Sequence, residues 1–240
     1  MNVLDYLILI VLLLAALVGY RKGFINSLVN LGGTIVIIVL AFYLKNPISI
    51  FLYEHFPFFT FSGNLKGITV YNIIIYEAFS FILTITILSF LARIIGKITG
   101  LTTSLIGDKA PTLFGRILGA IFGLIEGYII SFLICFIVTM FAANSSLYTK
   151  SNYCDDIVTK TPILNNIVKN TYQSIKEVYE ITMNYQNMAD KEEANKKSLE
   201  VLLKYEIISK ESAQKLIEND KLKINNFNDI LNNIKENLEW

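Results

Sequence analysis

The sequence predicts an all-α protein: a four-helix transmembrane bundle over residues 1–145, then a small helical extracytoplasmic domain over residues 146–240. Three observations predict it. The 240-residue chain is 53% hydrophobic with mean hydropathy +0.51, more apolar than a soluble chain of this size usually is. Only five of its 20 acids and eight of its 21 bases fall in residues 1–149, so an apolar first part precedes a polar remainder. Within the apolar part, Gly115, Gly119, Gly123 and Gly127 recur every fourth residue in a run that continues to Ala143.

Residues 3–20, VLDYLILIVLLLAALVGY, form the first span, since about 20 apolar residues cross a bilayer. A cleaved leader carries its positive charge ahead of the apolar run. Here Arg21 and Lys22 follow it, so this span is expected to be retained. Asp5 at its start suits the positive end of the helix dipole. The second span covers 24–44, and Lys45-Asn46-Pro47 is expected to end it. Residues 48–61 cluster aromatic side chains around Pro57, which suits an interfacial or re-entrant segment. The third span covers 71–92 and is trailed by a short basic helix with Arg93 and Lys97. Gly107-Asp108 reads as a break, Pro111 stands near a helix start, and the fourth span covers 115–142.

In the polar part, Thr161-Pro162 reads as the N-cap and first turn of a helix carrying Ile163, Ile167, Ile175 and Val178. The charge run Asp190–Lys197 reads as a solvated connection. Leu199, Leu202 and Leu203 mark another helix. Ser209 precedes a third with Ala213, Leu216 and Ile217, and Ile230, Leu231, Ile234 and Leu238 mark a last one after Asn228.

Orientation follows from basic residues. Arg21, Lys22, Arg93, Lys97, Lys109 and Arg116 fall on one side, against Lys45 and Lys66 on the other. The positive-inside rule puts the six in the cytoplasm, hence the N-terminus and the C-terminal domain outside.

A step of four residues turns the helix only about 40° past a full turn, so the four glycines form a stripe without side chains. In lipid, where Leu against Leu gains little, such a stripe lets a second backbone come close. Ala15, Gly19 and Gly23 repeat the spacing at the end of the first span. These seven residues are the helix-packing candidates, with the first helix the favoured partner of the fourth and a homo-oligomer the other option.

Two acids are candidate intramembrane polar sites. Glu126 lies on the order of 16 Å into the fourth helix, where a carboxylate is costly and commonly functional. It is either a proton or cation site, or a packing residue hydrogen-bonded to Ser, Thr or Tyr on a neighbour. Glu77 stands near the outer end of the third span and is expected to snorkel to the interface. Arg21, Lys22, Arg93, Lys97 and Arg116 fix topology and also suit an anionic-lipid patch. The lone histidine, His55, excludes a histidine-rich metal centre, and Cys135 and Cys154 are not expected to pair. No catalytic triad, phosphate loop or dinucleotide fingerprint occurs, so neither enzymatic activity nor a cofactor or metal is expected. A net charge of +1 gives no case for nucleic acid.

The motif Gly19-Tyr20-Arg21-Lys22-Gly23-Phe24 between two apolar helices, with Gly115-Arg116-Ile117-Leu118-Gly119-Ala120-Ile121-Phe122-Gly123-Leu124-Ile125-Glu126-Gly127 opening the fourth, resembles the colicin V production protein family. Gly19, Arg21, Gly23, Phe24, Arg116, Gly119, Gly123 and Gly127 match the family's pattern, over roughly residues 1–145. The resemblance implies a multi-pass protein of the bacterial inner or cytoplasmic membrane, named for a role in producing or exporting a peptide toxin. It implies no chemical activity, and nothing about the polar tail. The expected role is an envelope or secretion accessory that packs in the bilayer and docks an unidentified membrane or envelope protein. The alternative is a proton- or ion-linked transport or channel component using Glu126 and Glu77.

Overall fold

A computed structural model describes residues 2–99, 111–143, 145–184, 191–224, 227 and 230–232. Every long element among them is helical: α1 Val3–Lys22, α2 Phe24–His55, α3 Tyr71–Thr99, α4 Leu113–Ala142, α5 Ser146–Thr149, α6 Cys154–Lys160, α7 Leu164–Asn184, α8 Lys191–Lys204 and α9 Lys210–Glu218. A single 3₁₀ turn, Gly63–Leu65, precedes α3. Residues 227 and 230–232 are also helical. The expectations for Gly107-Asp108, Lys109, Asp190, Asn228, Ile234 and Leu238 concern residues outside the described set.

The four helices α1–α4 are each long and apolar enough to cross a membrane. Much of their apolar surface faces outward: Leu13 is 65% exposed, Leu17 60% and Phe90 63%. A contiguous apolar exterior of this kind marks a surface covered by something other than water. These helices make the chain a membrane protein.

Two compact units share the chain. The first comprises Met1–Leu44, Phe81–Val138 and Ser145–Ile167. Its core gathers Leu4, Ile8, Ile38, Phe81, Phe132 and Phe136, with Phe81 edge-on to Phe136 at 5.7 Å between ring centroids. The second comprises Lys45–Ser80, Thr139–Asn144 and Val168–Trp240. There Tyr71 donates to the Met140 carbonyl at 3.0 Å and lies 2.6 Å from the Tyr179 hydroxyl.

Local chemistry explains the helix ends. Asn2 caps α1 by accepting from the Leu4 and Asp5 amides at 2.9 and 3.1 Å, and Asp5 accepts from the Asn2 amide at 2.9 Å, a reciprocal capping box. Gly23 ends α1 with φ +80°, a conformation glycine adopts without strain, and Arg21 and Lys22 complement the helix dipole there. Ser209 caps α9 through the Ser212 amide at 3.1 Å, as its position before the apolar spacing predicts.

Four boundaries differ from expectation. First, α2 does not stop at Lys45-Asn46-Pro47 but continues to His55. Proline removes one ladder hydrogen bond, a loss that neighbours make good in packed membrane helices. The apolar spacing resumes at Ile48, Phe51 and Leu52. Residues past the helix end are docked, not loose: Asn72 accepts from the Phe59 amide at 2.6 Å and donates to the Phe59 carbonyl at 3.1 Å.

Second, the basic stretch with Arg93 and Lys97 is the end of α3 itself, because Ile94, Ile95 and Ile98 carry the helical pattern past Ala92. Third, Thr161 closes α6 and does not cap α7. Its hydroxyl donates back to the Ile157 carbonyl, and Ile163 adopts φ +68° in the intervening turn. Fourth, the charged run from Lys191 is the first half of α8, whose Asn195 is buried.

Candidate functional site

The glycine positions fall on one seam in the first unit. A Cβ built on Gly119 would stand 2.8 Å from the Gly23 Cα and closer still to the Gly19 carbonyl oxygen. One on Gly123 would strike the Ala15 carbonyl, and one on Gly127 would lie 2.7 Å from the Ala15 Cβ. Since rising numbers on α1 meet falling numbers on α4, the two helices run antiparallel with backbones in contact. A Cβ on Gly115 would meet Thr112 Oγ1 at 3.3 Å and no atom of α1, while the Gly115 carbonyl oxygen lies 3.8 Å from where a Cβ on Gly23 would stand. Phe24 stacks edge-on against Phe122 at 5.2 Å beside the seam.

Glu126 is half-buried in the same unit, and Thr34 on α2 donates to its Oε1 at 3.3 Å. The sequence left two accounts of Glu126 open, a proton or cation site and a hydrogen-bonded packing residue, and this contact is compatible with both.

Among the basic residues, Arg21 and Lys22 occupy the last turn of α1, and Lys97 the last turn of α3, with Arg93 one turn before it. Arg116 opens α4 with its guanidinium 5.9 Å from the Tyr20 ring centroid. His55 ends α2, stacked on Phe51 at 4.6 Å.

Cys135 of α4 and Cys154, the first residue of α6, form a disulfide, against expectation. In the sequence one cysteine lies within an apolar run and the other beyond it. The short turn α5 folds the chain back, bringing the two Cα atoms to 5.2 Å across 19 residues. Asp5 holds the same elbow, accepting from Ser151 Oγ at 2.6 Å and the Asn152 amide at 3.1 Å.

Glu77 lies in the second unit, and snorkelling does not describe it. Its side chain is 2% exposed and forms an ion pair with Lys45, itself 6% exposed. Lys45 is therefore a helix-interior residue of α2, not the loop charge that the topology count took it to be. The Lys45 Nζ also donates to Asn46 Oδ1 at 3.3 Å. Two charges leave water together only when each neutralises the other and hydrogen bonds complete the pair.

Beside Glu77 lies a cavity of about 490 Å³, walled by Asn46, Ser49 and Tyr53 of α2 and by the elbow between α8 and α9, Leu203–Lys210. Asn46, Ser49 and Tyr53 share one helix face by their spacing. Sequence reasoning missed this constellation because Lys45-Asn46-Pro47 reads as a stop. The resumed apolar spacing after Pro47 was the available signal.

The family model for colicin V production protein matches residues 4–162, about two thirds of the chain. The chain belongs to the colicin V production protein family. Searches of curated proteins and of solved structures returned no match. In this colicin V production family member the matched region includes the α1–α4 seam, Glu77, Glu126 and both bridged cysteines. Helices α7–α9 lie beyond it, so one wall of the cavity belongs to the part of the chain that the family model does not reach.

Proposed function

We propose that this protein is a multi-pass scaffold of the bacterial cytoplasmic membrane, an accessory to the production or export of a peptide toxin that performs no chemistry itself. The toxin link comes from the family name. The mechanical role rests on the α1–α4 seam, where backbone contact fixes two spans against each other with no space between them. Glu126, paired with Thr34, is a packing residue of that core. The partners of such a scaffold are the bilayer and a membrane or envelope protein.

The proposed orientation puts the N-terminus and the helices that follow α4, within residues 146–240, outside. The basic residues at the opposite helix ends support it. The Cys135–Cys154 bridge supports it independently, because disulfides persist on the oxidising side of the membrane. A reporter fused at Trp240 should be active only outside the cytoplasm; cytoplasmic activity refutes the orientation.

In cells secreting a peptide toxin, Gly119→Leu should abolish release, while Glu126→Gln at equal abundance leaves it intact. Normal release from Gly119→Leu, or its loss in a folded Glu126→Gln protein, contradicts the scaffold reading. The second reading is ion-linked transport, favoured by the cavity beside Glu77. Proton flux into proteoliposomes that is lost in Glu77→Gln and Glu126→Gln would establish it in place of the first.

A further inference from the structure

The cavity beside Glu77 is lined by acidic and basic groups, Glu77, Glu206, Lys204 and Lys210, together with apolar side chains. Glu77 Oε2 takes the Lys45 ammonium, while among the described residues Glu77 Oε1 accepts no hydrogen bond. Glu77 lines the cavity, and the side chains next to it on α2 are neutral and polar: Asn46, Ser49 and Tyr53. This part of the lining therefore suits a donor of positive charge. Lys45 already neutralises one oxygen and leaves the other for a second cation.

The α8–α9 elbow, where Glu206 takes φ +57° and turns the chain, supplies further lining residues, Glu206 among them. Two lysines stand there. Lys204 is held by Glu177 at 3.3 Å. Lys210, exposed at the first position of α9 and next to the cap Ser209, is the cation available to a carboxylate. Ile50, Leu203, Ile207 and Ile208 provide apolar wall. A volume near 490 Å³ falls inside the range of about 300–1,000 Å³ usual for small-molecule sites.

We infer that this cavity binds a small apolar zwitterion, an apolar amino acid or a short peptide, with its ammonium at Glu77 Oε1 and its carboxylate at Lys210. A simple anion would meet two carboxylates in the lining, Glu77 and Glu206. A divalent metal lacks ligands, since no group of three His, Cys, Asp or Glu side chains able to hold one occurs among the described residues. The site stands whether the protein is a scaffold or a transporter.

The test is calorimetric titration of the purified full-length protein in nanodiscs with L-leucyl-L-leucine, and with its N-acetyl, C-amide form as the uncharged control. The dipeptide should bind saturably, and the blocked form at least tenfold more weakly. Glu77→Gln should weaken dipeptide binding by at least tenfold, but it also alters the partner of Lys45 and can unfold the unit. Lys210→Glu, at an exposed position, gives an arm free of that problem: a tenfold or greater loss with helicity unchanged. No saturable binding, equal binding of both probes, or unaltered binding by a folded Lys210→Glu protein overturns the assignment.

Discussion

Gly19 and Gly119 meet through their backbones: the carbonyl oxygen of each occupies the place that a Cβ on the other would need. No side chain larger than hydrogen fits at either position while the helices keep this distance. Glycine interrupts helices in water at a cost near 1 kcal/mol relative to alanine. Here the same residue permits a contact that side chains would forbid, and dispersion between closely packed backbones replaces the hydrophobic drive absent in lipid.

Replacing Gly119 or Gly19 with Leu should therefore separate α1 from α4 and destabilise the protein by at least the roughly 1–3 kcal/mol typical of overpacking. Gly33→Leu is the control, because a Cβ at Gly33 meets nothing within 4 Å. Immunoblot abundance and resistance to denaturation in detergent should fall for the first two and stay level for the third.

The Lys45–Glu77 pair makes a different prediction. Lys45→Met leaves Glu77 buried without its counter-charge and should destabilise the protein by about 3–5 kcal/mol. The double variant Lys45→Met/Glu77→Leu should recover most of that loss. Additive single effects in a double-mutant cycle would show that the two groups do not interact.

The disulfide closes a loop of 19 residues, for which constraint of the unfolded chain contributes about 3 kcal/mol. Cys154→Ser should lower the melting temperature, and Cys135→Ser/Cys154→Ser should lower it no further. Reductant should shift the unsubstituted protein toward the same value and leave the variants unmoved.

Asn195 ties α8 to the turn before α3. It accepts from the Val70 amide at 3.1 Å and donates to the Gly67 carbonyl at 2.8 Å while 4% exposed. Asn195→Ala strands a buried amide, at about 1–3 kcal/mol. Hydrogen exchange at Val70 should accelerate by one or more orders of magnitude; unchanged protection there would show the clamp to be idle.

The parts of this molecule written in short-range periodicity were legible. Apolar runs of about 20 residues marked α1–α4, and the four-residue glycine spacing on α4, echoed by Ala15, Gly19 and Gly23, marked the faces that meet. Ser209 marked the start of α9 because capping is a local act. What stayed hidden depends on the fold closing distances that the sequence does not measure. Lys45 and Glu77 are 32 residues apart, and each alone looks like an interfacial charge. Their burial against each other belongs to an α2 that continues past Pro47, beside the cavity. Cys135 and Cys154 looked separated by the membrane boundary until α5 turned the chain back. Thr161 looked like a cap for the next helix because Thr-Pro suits that role, but its hydroxyl found the Ile157 carbonyl behind it.

The seam between α1 and α4 within a single chain can be tested directly by oxidative crosslinking in native membranes. Tyr20→Cys and Arg116→Cys, introduced together, place two thiols at facing positions of α1 and α4 beside the contact, where neither is larger than the native side chain, while the native cysteines remain bridged to each other. The predicted result is rapid crosslinking that leaves the protein at the mass of one chain, with neither single variant forming a dimer. A crosslinked dimer, or no crosslink at all, would contradict it.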